Sequence, residues 1–271
     1  MRFLSALLAS IVVLALAAAG CMTDPSLDAS ENLSAGESSR TLVLYTEELP
    51  PFNYIDRRGN LAGTSVEIVR EIAERTNTPI TITLLPWTDA YETTLKRSDV
   101  GLFSTARIQS RERLFSWVGP IGEFQYGIYA LKGAESRVAS LDDVRNAGLV
   151  AVVRSDSRYE FLLRNNVTNL LPCDSDRECI EAVRSGRAAL WLGITDTYAQ
   201  TSLELSRHLD ELVLVWPFRM SGLYIAFGRG TPTATIDSWQ AALEAMKADG
   251  TYDTIQTHEM PYICSWIGCR P

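Results

Sequence analysis

Between Thr41 and Phe103 the chain alternates short β-type runs with amphipathic helical ones, and this alternation most limits what it can fold into. Thr41–Thr46 (TLVLYT) is a strand signal. Thr64–Arg75 then puts Val66, Val69, Ile72 and Ala73 on one helical face. Ile80–Leu85 returns to strand, and Trp87–Lys96 repeats Ala90, Tyr91, Thr94 and Leu95 at helical spacing. Val100–Phe103 supplies a third strand. Strand–helix–strand–helix–strand predicts a parallel α/β sheet, whose ligands bind beyond the carboxyl ends of the strands. Glu47, Glu48, Phe52, Ser104 and Thr105 fall at those ends.

The run from Asp99 to Pro120, DVGLFSTARIQSRERLFSWVGP, carries the chemistry. A strand releases the hydroxyls of Ser104 and Thr105 into a turn. Arg107, Arg111 and Arg113 follow, and an aromatic return closes the unit. A guanidinium forks onto both oxygens of a small carboxylate while hydroxyls and free N–H groups complete the shell. A solvated basic turn is the plainer reading of the same residues.

The second half repeats the pattern. Gln125–Leu131 is an apolar strand that crosses into it, and Gly222–Phe227 is the returning strand. Between them lie helical Leu141–Val144, a strand at Gly148–Val153, and Ser155 and Asp156 as helix-start residues. A strand at Val167–Leu171, a helix at Arg177–Arg184 and a strand at Ala188–Gly193 follow. After these come a helix at Thr197–Glu204, a strand at Leu212–Trp216 and a final helix at Thr235–Lys247. Two α/β lobes joined by two crossing strands leave a cleft that closes by hinge motion.

The ends of the chain bound its location. Arg2 precedes an apolar run from Phe3 to Ala19, then Gly20 and Cys21, which is a signal-peptide pattern. Ala18-Ala19-Gly20-Cys21 resembles a lipoprotein lipobox, with Ala18 where Leu is usual. It implies a signal over residues 1–20, a lipid on Cys21 and a flexible Ser/Asp/Glu-rich tether over 21–40. An uncleaved anchor is the alternative, at the short end for a membrane span. The expected location is the periplasm or the outer face of the membrane. The four other cysteines form two close pairs, Cys173 with Cys179 and Cys264 with Cys269, expected as local disulfides in an exported protein. Zinc is the competing reading, weakened by the absence of C-x-x-C spacing. A net charge of −8 argues against a nucleic-acid partner, and no metal, phosphate-loop or nucleophile-elbow motif is present, so no cofactor is expected.

Three phrases, YTEELPPFNYIDRRGNLAGTSVEIVREIAERT, LPWTDAYETTLKRSDVGLFSTARIQSRERLFSWVGPI and ADGTYDTI, resemble the family 3 extracellular solute-binding proteins. The resemblance spans Thr41–Ile255. It implies the two-lobe, type II periplasmic binding protein fold with two hinge crossings, the lobes being 41–127 with 226–271 and 128–225. It further implies a monomeric receptor, not an enzyme, delivering a polar amino acid to the permease of an ABC transporter. The family's carboxylate-holding arginine matches Arg111 best, with Arg107 as rival, and Ser104 and Thr105 match its small polar turn. Ala106 departs from that pattern, falling where a further Ser or Thr is usual. The acid that takes the ligand amine is expected near the end of ALWLGITD, where Asp196 stands a residue or two late and also reads as a helix N-cap. Glu48 is a second candidate. Asp156 and Ser157 occupy the family's helix-start loop, where Asp156 would repel an anion. Phe52, Tyr54 and Trp87 could wall the pocket or simply pack the core. An enzyme on the same fold, a cyclohexadienyl or arogenate dehydratase-like lyase, is the rival function, because fold does not decide function. A binding subunit that signals to a receptor is a third reading.

Overall fold

The computed structural model describes residues 41–56, 58–134, 138–195 and 211–258. In the first half, β1 (Leu42–Thr46) is followed by a small hairpin of β2 (Tyr54–Ile55) and β3 (Leu61–Ala62). Then come α1 (Thr64–Arg75), β4 (Ile80–Leu84), α2 (Trp87–Lys96) and β5 (Val100–Ala106). A 17-residue strand, β6 (Phe115–Leu131), leads into α3 (Leu141–Asn146), β7 (Val150–Val153) and α4 (Ser157–Arg164). Next are β8 (Leu170–Cys173), α5 (Asp176–Arg184) and β9 (Leu190–Ile194). A second 17-residue strand, β10 (Leu212–Gly228), returns, and α6 (Thr233–Asp249) and α7 (Thr251–His258) follow it.

The strands form one mixed sheet in the order β4-β1-β5-β10-β6-β9-β7-β8. Each half has the same plan. β1 lies between parallel neighbours β4 and β5, with β10 antiparallel beyond. β7 lies between parallel neighbours β8 and β9, with β6 antiparallel beyond. The two long strands pair with each other along their length, so both halves hang on one two-stranded spine. This is the type II binding-protein architecture.

The helical period expected for residues 64–75 is the one observed. Val66, Val69 and Ile72 are fully buried, and α1 packs on β6, α6 and α7. Each such side chain contributes about 1.5–3 kcal/mol of transfer free energy. Gly63 begins the helix at φ +117°, where a Cβ would stand 2.4 Å from the Phe52 carbonyl oxygen, so the turn into α1 requires glycine.

Three differences from expectation stand out. Leu212–Trp216 and Gly222–Phe227 are not separate strands but parts of β10, whose register shifts three times along β6. Those irregularities let a strand run past Pro217, which cannot donate to a ladder. The phrase ADGTYDTI spans the end of α6 and the start of α7, which Gly250 in the left-handed region separates. Cys173 and Cys179 are free buried thiols rather than a bridge, and Cys173 Sγ donates to the Leu171 carbonyl at 3.6 Å. Cys21, Cys264, Cys269, Asp196, the Thr197–Glu204 segment and residues 1–40 lie outside the described residues.

Candidate functional site

The carboxyl ends of the parallel strands from both halves converge on one cavity. Glu47 follows β1, Ser104 and Ala106 end β5, Asp156 and Ser157 follow β7, and Ile194 ends β9. Leu49, Trp87, Phe124 and Leu223 supply apolar wall, and Arg111 completes the lining. The free space they leave is about 10 Å³, room for about one water, and is partly open to solvent. On its two sides, Ser104 and Ser155 both hold φ of +58°, a conformation that costs a non-glycine residue energy and concentrates at functional sites.

Arg111 is the central cation. It is 1% exposed and lies over the rings of Trp87 and Tyr91, 4.8 and 5.0 Å from their centroids. From the first half it donates through Nη2 to the Ser155 carbonyl at 3.1 Å and to Glu160 Oε1 at 3.4 Å, both in the second half. Trp87 Nε1 donates to the same Ser155 carbonyl at 2.9 Å. Ser110 adds a 2.6 Å bond to Glu160, so the two halves are latched across the cavity. Arg111 Nε has no partner although it is buried. An unpaired buried N–H costs about 1–3 kcal/mol, a penalty that an incoming acceptor removes.

Opposite lies a buried charge triad. Arg158, 1% exposed, donates to Asp156 through Nε and Nη2 at 3.2 and 2.9 Å, and to Asp176 at 2.6 and 3.2 Å. Asp156 caps α4, accepting the Arg158 amide at 2.7 Å, and also accepts from Ser157 Oγ at 3.0 Å. Burial works to raise the Asp156 carboxyl, but Arg158 prevails and holds it below the ordinary carboxylate range. The expected repulsion of an anion by Asp156 is thus largely cancelled within the protein. Ser157 Oγ pairs at 2.7 Å with Tyr126 Oη, whose pKa burial and Asp156 push up to about 12, so the phenol stays a neutral donor.

Glu47 is the carboxylate left without an arginine of its own. Loss of water around the group, then Asp156 and Asp176, outweigh the pull of Arg158 and Arg111 and raise its pKa well above the usual value. A carboxyl with a raised folded-state pKa contributes most below its unfolded pKa and loses that contribution as pH rises through the folded one. Glu47→Gln is therefore expected to raise the Tm of the empty protein at neutral pH while changing it little in acid. Thermal melts across pH 4–8 would check this, and an equal effect at every pH would refute the assignment.

Of the residues singled out by sequence, Arg111, Ser104, Trp87, Asp156 and Ser157 come together at the cavity. Ser104 Oγ bonds Asn53 Oδ1, which holds the β1 loop against β5. Others, Tyr54 among them, do not line it. Arg107 pairs with Glu112 at 2.8 and 2.6 Å and stacks on Trp117 and Tyr224, and instead lines a neighbouring cleft of about 560 Å³ with Tyr126, Ser157 and Glu160. Thr105 points to the opposite face from Ser104, as strand alternation requires, and its hydroxyl bonds the Leu102 carbonyl at 3.1 Å. Glu48 is exposed, its neighbour Glu47 having the cavity-facing position. Phe52 is buried in the hydrophobic core. Ile194 lines the cavity near where an amine-binding acid was expected. Sequence reasoning marked Ser155 only as a helix-start residue and passed over Glu160 and Tyr126. No signal marked those two.

With this geometry in hand, comparison with known proteins is informative. The model for bacterial extracellular solute-binding proteins, family 3, matches residues 42–260. A "Probable amino-acid ABC transporter-binding protein" of Haemophilus influenzae is 25% identical over 242 residues, covering 83% of this chain and 87% of that protein. Among solved structures, a histidine kinase sensor domain with similarity to periplasmic binding proteins superposes with a TM-score of 0.74 at 20% identity, covering 84% of this chain and 96% of that one. An ancestral arginine-binding protein bound to arginine gives 0.72 at 20% identity, covering 81% and 98%.

Proposed function

This chain belongs to the bacterial extracellular solute-binding proteins of family 3, and from that premise we propose that it captures a polar amino acid and delivers it to an ABC permease. The observation that carries the reading is Arg111, a buried guanidinium over two aromatic rings with a hydrogen-bond donor unmet. A ligand carboxylate meets that donor and replaces Glu160 as the anion at the fork. The ligand ammonium faces Glu47, with Asp156 beyond it. The apolar residues Leu49, Phe124, Ile194 and Leu223 wall the rest once the lobes part to admit it. The lobes, 41–127 with 226–271 and 128–225, swing about β6 and β10, and the Trp87–Ser155 contact re-forms on closure. A lipid on Cys21 tethers the monomer to the outer face of the membrane through the 21–40 segment. The likeness of the named relative supports transport.

Calorimetric titration against the standard amino acids and simple organic acids tests this: one tight ligand is expected, and none would overturn it. Because burial holds the Glu47 pKa well above its usual value, an ammonium bound beside it lowers that pKa and releases protons wherever Glu47 carries them. The measured heat should then depend on the ionisation enthalpy of the buffer. The lyase reading draws on the same Glu47, its pKa raised by burial, as a general acid. Product formation from prephenate or arogenate would favour it over the receptor.

A further inference from the structure

Glu160 joins the two halves with both of its carboxylate oxygens. Oε2 accepts from Ser110 Oγ at 2.6 Å and Oε1 from Arg111 Nη2 at 3.4 Å, both donors belonging to the first half. A carboxylate held between a hydroxyl and a guanidinium is the chemistry a ligand acid would meet, supplied here by the protein's own chain. The cavity behind it leaves only about 10 Å³, so in this arrangement no amino acid fits beside Arg111. Glu160 also lines the neighbouring cleft of about 560 Å³, which meets the cavity at Ser157. Arg164 lines that cleft too. It is exposed, makes no ion pair among the described residues, and stands four residues beyond Glu160 on α4. A glutamate four residues before a cation is the favoured order for an ion pair on a helix face.

We propose, resting on the reading of Arg111 as the ligand's carboxylate site, that Glu160 is a two-position latch. Paired with Arg111 and Ser110, it holds the halves shut by itself. When a ligand carboxylate takes Arg111, Glu160 swings into the cleft and pairs with Arg164. The side chain that moves is the glutamate, which is 30% exposed, and not the arginine, which is 1% exposed and packed on two rings. Two arginines thus compete for one carboxylate. Molecules whose Arg111 is committed to Glu160 are withheld from ligand, and the apparent dissociation constant rises in proportion to that withheld population. The latch therefore sets both how often the protein closes on itself and how tightly it binds.

Solution X-ray scattering on full-length protein without any amino acid is the first arm of the test. Glu160→Ala leaves only the two donors to the Ser155 carbonyl across the cavity, so its radius of gyration should exceed that of the native protein. An unchanged radius would overturn the latch. The second arm is calorimetric titration with whichever standard amino acid the native protein binds most tightly. Glu160→Ala should tighten that binding about tenfold, the scale of one charge-assisted hydrogen bond. Arg164→Glu should weaken it about threefold, by repelling Glu160 from the cleft, and should have no effect when Glu160 is already alanine. Weaker binding by Glu160→Ala, or the same loss from Arg164→Glu in both backgrounds, would overturn the proposal. Should no amino acid bind, the scattering decides alone: a larger radius for Glu160→Ala would uphold the latch while the transport reading fails.

Discussion

Arg111→Ala is expected to remove ligand binding by two to three orders of magnitude, the largest effect of any single change at the cavity. Truncating one partner of a desolvated, hydrogen-bonded charge pair costs about 2–5 kcal/mol, and each 1.4 kcal/mol is about tenfold. The side chain is fully inside the protein and its Nε is unpaired, so its energy is available to a ligand rather than already spent. The empty variant also pays. Trp87 and Tyr91 lose the cation between them, and the Ser155 carbonyl keeps only Trp87 as donor. A fall in Tm of a few degrees is therefore expected, and titrations should be run well below it. Arg111→Lys retains charge but not the planar fork, and should recover only part of the affinity. Arg107→Ala is the comparison: its guanidinium is already paired to Glu112 and lies outside the cavity lining, so binding should fall far less. Retention of full affinity by Arg111→Ala, or its loss in Arg107→Ala instead, would reverse the assignment.

The second large effect concerns stability. Arg158→Met leaves Asp156 and Asp176 buried without their common partner. Breaking a buried ion pair from one side costs about 3–5 kcal/mol, or on the order of 10 °C in Tm for a domain of this size. The pH dependence separates this from a packing defect. In the native protein Asp156 has a lowered pKa, so its contribution is present above the unfolded carboxyl value and is lost as pH falls through the folded one. In the variant, burial acts on Asp156 without a cation, its pKa rises, and the sign inverts: stability falls as pH rises. Melting curves at pH 4 and pH 7 should thus converge between native and variant proteins in acid and diverge near neutrality. A constant gap would mean that the lost interaction is steric.

These two arginines illustrate how unevenly the site could be read beforehand. Arg158 appears in sequence beside an aspartate at a helix start, a local pattern. Its second partner, Asp176, lies 18 residues on and meets it only through the pairing of β7 with β8. Arg107 and Arg111 are separated by one turn and have the same chemistry. What distinguishes them is Tyr224 and Glu112 on one side and Glu160 and Ser155 on the other, groups up to more than a hundred residues away.

By itself the sequence determined the elements of the first half. Apolar spacing in 64–75 and 87–96 is local, and burial follows that spacing directly. It also determined the parallel α/β class and the principle that the site lies beyond the strand ends. Only the tertiary structure decided which of two adjacent glutamates faces the cavity, which of two hydroxyls points away, and which arginine is desolvated. Those choices depend on strand register and on charges brought together across the two halves. A side chain's neighbours in sequence say little about the water it loses or the counter-charge it gains. In this cavity those two quantities separate the residues that line it from their identical neighbours.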